Sequence, residues 1–169
     1  VNTPRLEASA ARCTIRFTLA APKAEPVLIA QGTQVAAGAT VFRTVASGTL
    51  SPSSRTLDLE AICLQTGVSG NGFAAGQVNT LVNPIDGVTA INTTVPTGGA
   101  AEESDEAYRQ RILLAPESFS VAGPVGAYEY FARRVSPTIC DVHVGNLTGV
   151  DGLPIGGQVR VTLLTKNGV

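Results

Sequence analysis

The stretch that decides the fold runs from Asn83 to Ile112 and reads NPIDGVTAINTTVPTGGAAEESDEAYRQRI. Apolar and polar residues alternate from Val88 onward, which predicts a short strand. Pro96 and the pair Gly98-Gly99 then interrupt the ladder, because proline lacks an N–H donor and glycine tolerates unusual dihedral angles. Ser104 is a predicted helix N-cap. The stretch therefore joins a strand-rich half of the chain to a helical half.

Acidic residues cluster where this helix is predicted to begin, at Glu102, Glu103, Asp105 and Glu106. Carboxylates are favourable at the positive end of a helix dipole, and Asp105 precedes Arg109 by one helical turn. Their spacing does not give the alternating oxygen ligands of a calcium loop. We interpret Glu103, Asp105, Arg109 and Arg111 as helix-cap residues, with contacts between subunits as the alternative.

The composition limits the classes of function. The chain has 169 residues, of which 44% are hydrophobic and 15% charged, and its net charge is −1. A nucleic-acid-binding protein needs a clear excess of basic residues, so we expect no nucleic-acid partner. No stretch of eighteen apolar residues is present, so we expect no membrane span. The chain begins with Val and lacks Met, so we expect a segment of a longer polypeptide.

Short strands are predicted throughout the first half, separated by glycine, proline and serine. Strands at such regular spacing indicate an antiparallel sandwich or barrel. The predicted strands are 14–19, 27–30, 34–36, 41–45, 56–65, 77–82 and 88–92.

The second half has a helical period followed by two strands. The helix from Ser104 to about Leu114 should bury Tyr108, Ile112 and Ala115. A second helix opens near Pro124, and its predicted apolar stripe is Val125, Tyr128, Phe131, Ala132 and Val135.

Strands are predicted at 139–144 and 158–164, joined by a glycine-rich loop at 145–157. The fold class is therefore α+β, a β-rich sandwich or barrel followed by a small ααββ domain with two helices packed on a short sheet. We predict domains at 1–97 and 98–169, and we expect residues beyond Val169 to complete the second sheet.

No residue pattern points to catalysis. His143 lies near Cys140 and Asp141, but alternation along a strand places Cys140 and His143 on opposite faces. The cysteines Cys13, Cys63 and Cys140 are interpreted as small buried side chains. Gly70 and Asn71 belong to a glycine-rich segment that lacks the Lys-Ser/Thr ending of a phosphate-binding loop, so we predict a turn between strands. We expect no metal, no cofactor and no enzymatic activity.

An ordered set of short motifs resembles the core of the baseplate J-like proteins of contractile phage tails. The resemblance spans residues 5 to 165, and its one departure is Ala100-Ala101, where an acidic residue usually follows the glycine pair. The motifs fall on Gly67, Gly70-Asn71, Ala75-Gly76, Asn83-Pro84, Gly87-Val88, Ile91-Asn92, Gly98-Gly99, Glu103-Ser104-Asp105-Glu106, Tyr108-Arg109, Arg111-Ile112, Ser120, Ala122-Gly123 and Ala127-Tyr128.

The resemblance implies a structural protein of the virion tail baseplate, assembled in the bacterial host cytoplasm. Copies in a sixfold ring would join wedges around the hub, contact neighbouring wedge proteins and the sheath-initiating protein, and relay host contact to sheath contraction. Gly98 and Gly99 are the candidate hinge between the two halves. The alternative is a receptor- or carbohydrate-binding β-sandwich module of a tail fibre or adhesin, which would need exposed aromatic side chains. Most aromatic residues here fall on predicted core faces.

Overall fold

Antiparallel strands are the main regular structure of the first hundred residues in the computed structural model, which describes residues 3–51, 53–119 and 123–166. The strands are β1 Ala10–Leu19, β2 Val27–Ile29, β3 Gln34–Ala37, β4 Thr40–Thr44, β5 Gly48–Leu50, β6 Thr56–Thr66, β7 Thr80–Leu81 and β8 Val88–Asn92. Six of them form one sheet in the order β7-β3-β4-β6-β1-β8, and β2 pairs separately with β5.

The six-stranded sheet curls until its two edge strands, β7 and β8, approach each other. The backbone N–H of Asn92 donates to the carbonyl of Val78 at 3.0 Å, and the N–H of Gly76 donates to the carbonyl of Asn92 at 2.9 Å. These bonds connect the end of β8 to the segment that leads into β7. The predicted β-rich half is therefore a nearly closed barrel.

The barrel interior is filled by one face of each long strand. On β1, burial alternates so that Ile15 and Phe17 point inward while Arg12 and Arg16 point outward. Phe42 from β4 is fully buried, and its ring meets that of Phe73 edge-to-face at 6.1 Å between centroids. Period-two alternation of apolar residues thus builds an interior core.

The strand predictions for this half were wrong at three places, since β1 begins at Ala10 rather than Thr14, β7 is shorter than predicted and β5 was missed. The strand predicted at 77–82 is only Thr80–Leu81, because the backbone groups just before it bond to Asn92 instead of extending the ladder. The short strand Gly48–Leu50 was not predicted, because three residues are too few to display a period.

Helices and a two-stranded sheet follow. Helix α1 spans Asp105–Leu114 and helix α2 spans Val125–Arg133, with a short 3-10 helix at Ala115–Phe119 after α1. Strands β9 (Ile139–Thr148) and β10 (Pro154–Thr165) then pair antiparallel. The α+β class with two helices and a small sheet is confirmed. No helix among the described residues is long and apolar enough to cross a membrane.

The chain divides into two compact units. One is Ser9–Ala100, here called the barrel unit, and the other is Val1–Ala8 together with Ala101–Val169, here called the helix–sheet unit. The predicted boundary between residues 97 and 98 stays a prediction.

The predicted buried faces of both helices in the helix–sheet unit need correction. Helix α2 buries Ala127 and Tyr130, whereas most of the predicted stripe is exposed, namely Val125, Tyr128, Phe131 and Val135. Apolar side chains occur on more than one side of this short helix, so a helical period fits two stripes. On α1, Ile112 is 45% exposed and Arg111 is buried instead.

The glycine-rich loop predicted at 145–157 is shorter than expected, because β9 and β10 both extend into it. A register shift between Pro154 and Val159 absorbs the glycines there. The Ser120 and Ala122 motif positions lie outside the described residues.

Candidate functional site

A buried ion pair lies at the centre of the helix–sheet unit. Arg111 on α1 donates from Nε to Oε1 of Glu103 at 2.9 Å and from Nη2 to Oε2 at 2.7 Å. The two side chains are only 2% and 3% exposed. This bidentate geometry is the strongest form of arginine–carboxylate contact. The unit therefore buries a charged pair in addition to its buried apolar residues, which are Ala115, Ala127, Tyr130 and Val142.

The ion pair also binds the first described residues of the chain. Arg111 Nη2 donates to the carbonyl of Pro4 at 2.6 Å, and the backbone N–H of Leu6 donates to Glu103 Oε2 at 3.1 Å. The N–H of Glu103 donates in return to the carbonyl of Leu6 at 3.0 Å. Together these bonds satisfy both charged groups and hold residues 4–6 beside α1.

Tyr108 adds a second set of contacts to the same segment. Its hydroxyl donates to the carbonyl of Thr3 at 2.8 Å. The guanidinium groups of Arg5 and Arg111 lie 5.1 and 5.6 Å from its ring centroid, within the range of cation–π attraction. Arg5 also pairs with Asp105. The N-terminal segment is thus held by an aromatic ring, a buried pair and an exposed pair.

The charges of the buried pair reinforce each other. Burial alone would raise the pKa of Glu103, but hydrogen bonds from Arg111 and from the Leu6 N–H, with the guanidinium charge, hold it below its usual value. The hydrogen bond to Glu103 raises the pKa of Arg111 against the opposing effect of burial. Both groups are therefore charged at neutral pH.

At the start of α1 the predicted N-cap is present, but Asp105 and Arg109 have different partners from those expected. Ser104 is the N-cap, and its hydroxyl accepts from the Ala107 N–H at 3.3 Å. The predicted pair of Asp105 with Arg109 is wrong, since Asp105 pairs with Arg5 and Arg109 pairs with Glu106 at 2.7 Å. Contacts of these residues with another subunit stay a prediction.

In the barrel unit, Asn71 and Gly99 form a reciprocal clasp. Asn71 Nδ2 donates to the carbonyl of Gly99 at 2.7 Å, and the Gly99 N–H donates to Asn71 Oδ1 at 2.9 Å. A Cβ on Gly99 would lie 2.4 Å from the carbonyl oxygen of Gly67, so only glycine fits. Gly98 has φ of 86°, and an added Cβ there meets nothing within 4 Å. The hinge at Gly98 and Gly99 stays a prediction.

Gly70 lies in a one-turn 3-10 helix, Val68–Gly70, that follows β6, and Asn71 ends it. The glycine is buried, and a Cβ there would lie 2.8 Å from Cys63 Sγ. Because Gly70 has no side chain, this segment packs closely against the barrel and places Asn71 there.

Asn92 is a structural residue whose role the sequence reasoning missed. It is fully buried, and its Oδ1 accepts from the Val78 N–H at 2.9 Å while Nδ2 donates to the carbonyls of Ala74 and Thr94, both at 3.0 Å. The side chain thereby satisfies three backbone groups where the barrel closes. The sequence did contain a signal for this role, because alternation along β8 places Asn92 on the same inward face as Val88 and Ala90.

The cysteines do not form a reactive site. Cys13 and Cys63 are buried as predicted, but Cys140 is exposed, so that part of the prediction was wrong. Burial, and then the nearby Cys63, raise the pKa of the Cys13 thiol to about 11, which keeps it protonated. Within the described ranges, no three His, Cys, Asp or Glu side chains are grouped closely enough to hold a metal ion.

Comparison with known proteins gives the barrel a family. Residues 14–100 match the model described as "Baseplate J-like protein barrel domain". The chain is also similar to "Baseplate protein J" of Escherichia phage P2, with 46% identity over 82 residues. That segment spans 47% of this chain and 25% of the phage P2 protein. Since the family match covers just over half of the chain, this protein belongs to the baseplate J-like family, and residues 14–100 are its barrel domain.

Proposed function

We propose that this chain is a structural component of a phage or prophage tail baseplate and belongs to the virion. The observation that carries the proposal is the match of the barrel to the baseplate J-like domain over residues 14–100. The phage P2 relative, named as a baseplate protein, supports the same role. The helix–sheet unit lies outside the residues matched by the family model, so its part in the role rests on its own contacts.

Within that role, copies of the chain join neighbouring wedges in a sixfold ring around the hub and contact the sheath-initiating protein. The ring rearranges on host contact and releases sheath contraction, with no covalent chemistry and no cofactor. The bonds of Glu103 and Arg111 to residues 4–6 support a mechanical role, because they let a load pass between these residues and α1. Assembly takes place in the cytoplasm of the bacterial host.

The hinge is part of this proposal and rests on Gly98 rather than Gly99. A β-branched residue disfavours a positive φ, whereas asparagine tolerates it. Gly98→Val should therefore impair tail contraction more than Gly98→Asn, measured as the fraction of contracted particles after host contact. Equal contraction of the two variants would remove the hinge from the account.

The alternative, a receptor- or carbohydrate-binding module, draws no support from the barrel. Such a site needs exposed rings over a groove, but Phe17 and Phe42 are fully buried and Phe73 is packed against the core. Exposed rings occur instead in the helix–sheet unit, at Phe119, Tyr128 and Phe131.

Disruption of the gene tests the proposed function. We expect lysates of the disrupted phage to contain heads but few complete tails, counted by negative-stain electron microscopy, and a plasmid copy of the gene to restore them. Tails of normal number and normal contraction without the protein would contradict a baseplate role.

A further inference from the structure

An open cavity of about 440 Å³ lies on the outer face of the barrel. Arg43 on β4 and Arg12 on β1 both stand opposite Ile62 of β6 in the strand register. Residues directly opposite in antiparallel strands are close neighbours, so the two arginines flank one isoleucine. The turn Gln31-Gly32 and residues Thr44 and Val45 complete the wall.

Arg43 differs from the other basic side chains of the barrel unit. Among the basic side chains in the described part of the barrel unit, only that of Arg43 makes no hydrogen bond or ion pair. The other four bind Glu60, Asp58, Asp86 or backbone carbonyls, and they are Arg12, Arg16, Lys23 and Arg55. The cavity therefore presents an unused guanidinium beside a paired one.

The arrangement selects for a single negative charge. Arginine binds a carboxylate through two parallel N–H···O bonds, and the apolar side chain of Ile62 lies between the two arginines. Glu60 binds Arg12 at 2.8 Å and leaves the group of Arg12, Arg43 and Glu60 with a net charge of +1. A carboxylate would neutralise that charge, whereas a dianionic phosphate would exceed it.

We propose that this cavity receives an aspartate or glutamate side chain of another baseplate protein, with Arg43 as its main contact. The inference rests on the proposed function, which supplies a protein partner. Arg12 acts as a second donor whose position is fixed by Glu60. Gln31 is held at the edge of the cavity, since its Nε2 donates to the carbonyl of Val45 at 2.9 Å.

The test uses phage carrying Arg43→Gln, Arg43→Glu or the matched control Arg16→Gln. Arg16 lies on the same outer face but is paired bidentately with Asp58, so its loss removes one charge without touching the cavity. Thermal unfolding of each purified protein checks the fold, which an exposed, unpaired side chain should not affect. Tails are labelled with an antibody against the chain, and the labelled tails are counted by electron microscopy.

We expect Arg43→Gln to lower the yield of labelled tails about tenfold, Arg43→Glu to lower it further, and Arg16→Gln to stay within about twofold of wild type. Suppressors of Arg43→Glu should change an acidic residue of another tail protein to lysine or arginine. If Arg43→Glu gives the wild-type yield of labelled tails, the proposed contact at the cavity is wrong but the baseplate role is unaffected. Suppressors confined to this chain overturn that contact as well. Absence of the chain from wild-type tails refutes the baseplate role and this inference together.

Discussion

The two units of this protein differ in the kind of side chain that they bury most deeply. In the barrel unit the fully buried side chains are mainly apolar, with Phe17, Phe42 and Ile15 among the largest. In the helix–sheet unit the largest fully buried side chain is Arg111, while Leu113, Phe131 and Val135 are exposed. Apolar side chains therefore fill the barrel, whereas the other unit buries a charged pair together with a smaller set of apolar side chains.

Apolar burial provides stability, whereas the buried ion pair specifies one conformation. Apolar burial is non-directional and stabilises in proportion to the area removed from water. A buried ion pair recovers its desolvation cost only when its geometry is good and its remaining hydrogen bonds are made. Glu103 and Arg111 meet both conditions through Pro4 and Leu6. The pair therefore fixes one position of the N-terminal segment beside α1.

The chain offers separate probes for its two units. All three tyrosines, Tyr108, Tyr128 and Tyr130, lie in the helix–sheet unit, and the chain has no Trp. Tyrosine fluorescence therefore follows that unit, whereas hydrogen exchange of the backbone amides in β1 and β6 follows the barrel unit. Urea unfolding followed by both signals measures each unit in one sample.

The largest effect should come from the apolar core. Phe42→Ala should lower the free energy of unfolding of the barrel by about 4 kcal/mol, because it removes a fully buried ring and leaves a cavity. The matched control is Phe131→Ala, whose ring is 51% exposed and whose loss should cost about 0.5 kcal/mol or less. Similar losses from both variants would show that the barrel core does not carry the stability.

Removal of one partner from the buried pair should have the next largest effect. Arg111→Ala leaves the Glu103 carboxylate buried without its counter-charge, which should cost about 3 kcal/mol in the tyrosine-detected transition. The double variant Glu103→Leu with Arg111→Met should recover most of that loss, because it buries no charge. A double variant as unstable as Arg111→Ala would mean that the pair contributes to stability beyond charge compensation.

The loss of Asn92 should weaken barrel closure to a smaller degree. Asn92→Ala leaves the Val78 N–H and two carbonyls without their partner, which should lower the free energy of unfolding of the barrel unit by about 2 kcal/mol. Asn146→Ala is the control, because Asn146 is an exposed asparagine of the same Asn-x-Thr pattern. We expect hydrogen exchange to accelerate near Val78 only in the Asn92 variant, and unchanged exchange there would contradict the role in closure.

Acidification should destabilise the two units to different degrees, and by less than the substitutions above. The pKa of Glu103 is lower in the folded protein than in the unfolded chain, so its contribution is present at neutral pH and is lost as pH falls below about 4, the ordinary glutamate value. Asp58 and Asp86 of the barrel unit also have lowered pKa values, but both lie on the surface, where solvent screens their pairs. The tyrosine-detected midpoint in urea should therefore decrease more on acidification than the barrel midpoint. In Glu103→Gln this extra sensitivity should disappear, and its persistence would assign the effect to another group.

Local signals in the sequence predicted the local structure well. The N-cap at Ser104 and the alternation along β1 and β6 each depend on neighbours within a few residues. The length of β7 was overestimated because Gly76 and Val78, which precede it, bond to Asn92 across the barrel closure. Burial of Arg111 was missed because its partners, Glu103 and the distant Pro4, meet it only in the folded chain. The apolar pattern of α2 fitted two faces, and only packing selects one.

The central claim, that this baseplate J-like chain is part of a tail baseplate, is tested most directly by immunogold electron microscopy of purified tails. The antibody should be raised against the whole chain and checked against lysate of the gene-disrupted phage. We predict label confined to the head-distal end of the tail, in extended and contracted particles alike. Label at fibre tips, or unlabelled particles in a lysate in which the antibody recognises the protein, would contradict the account.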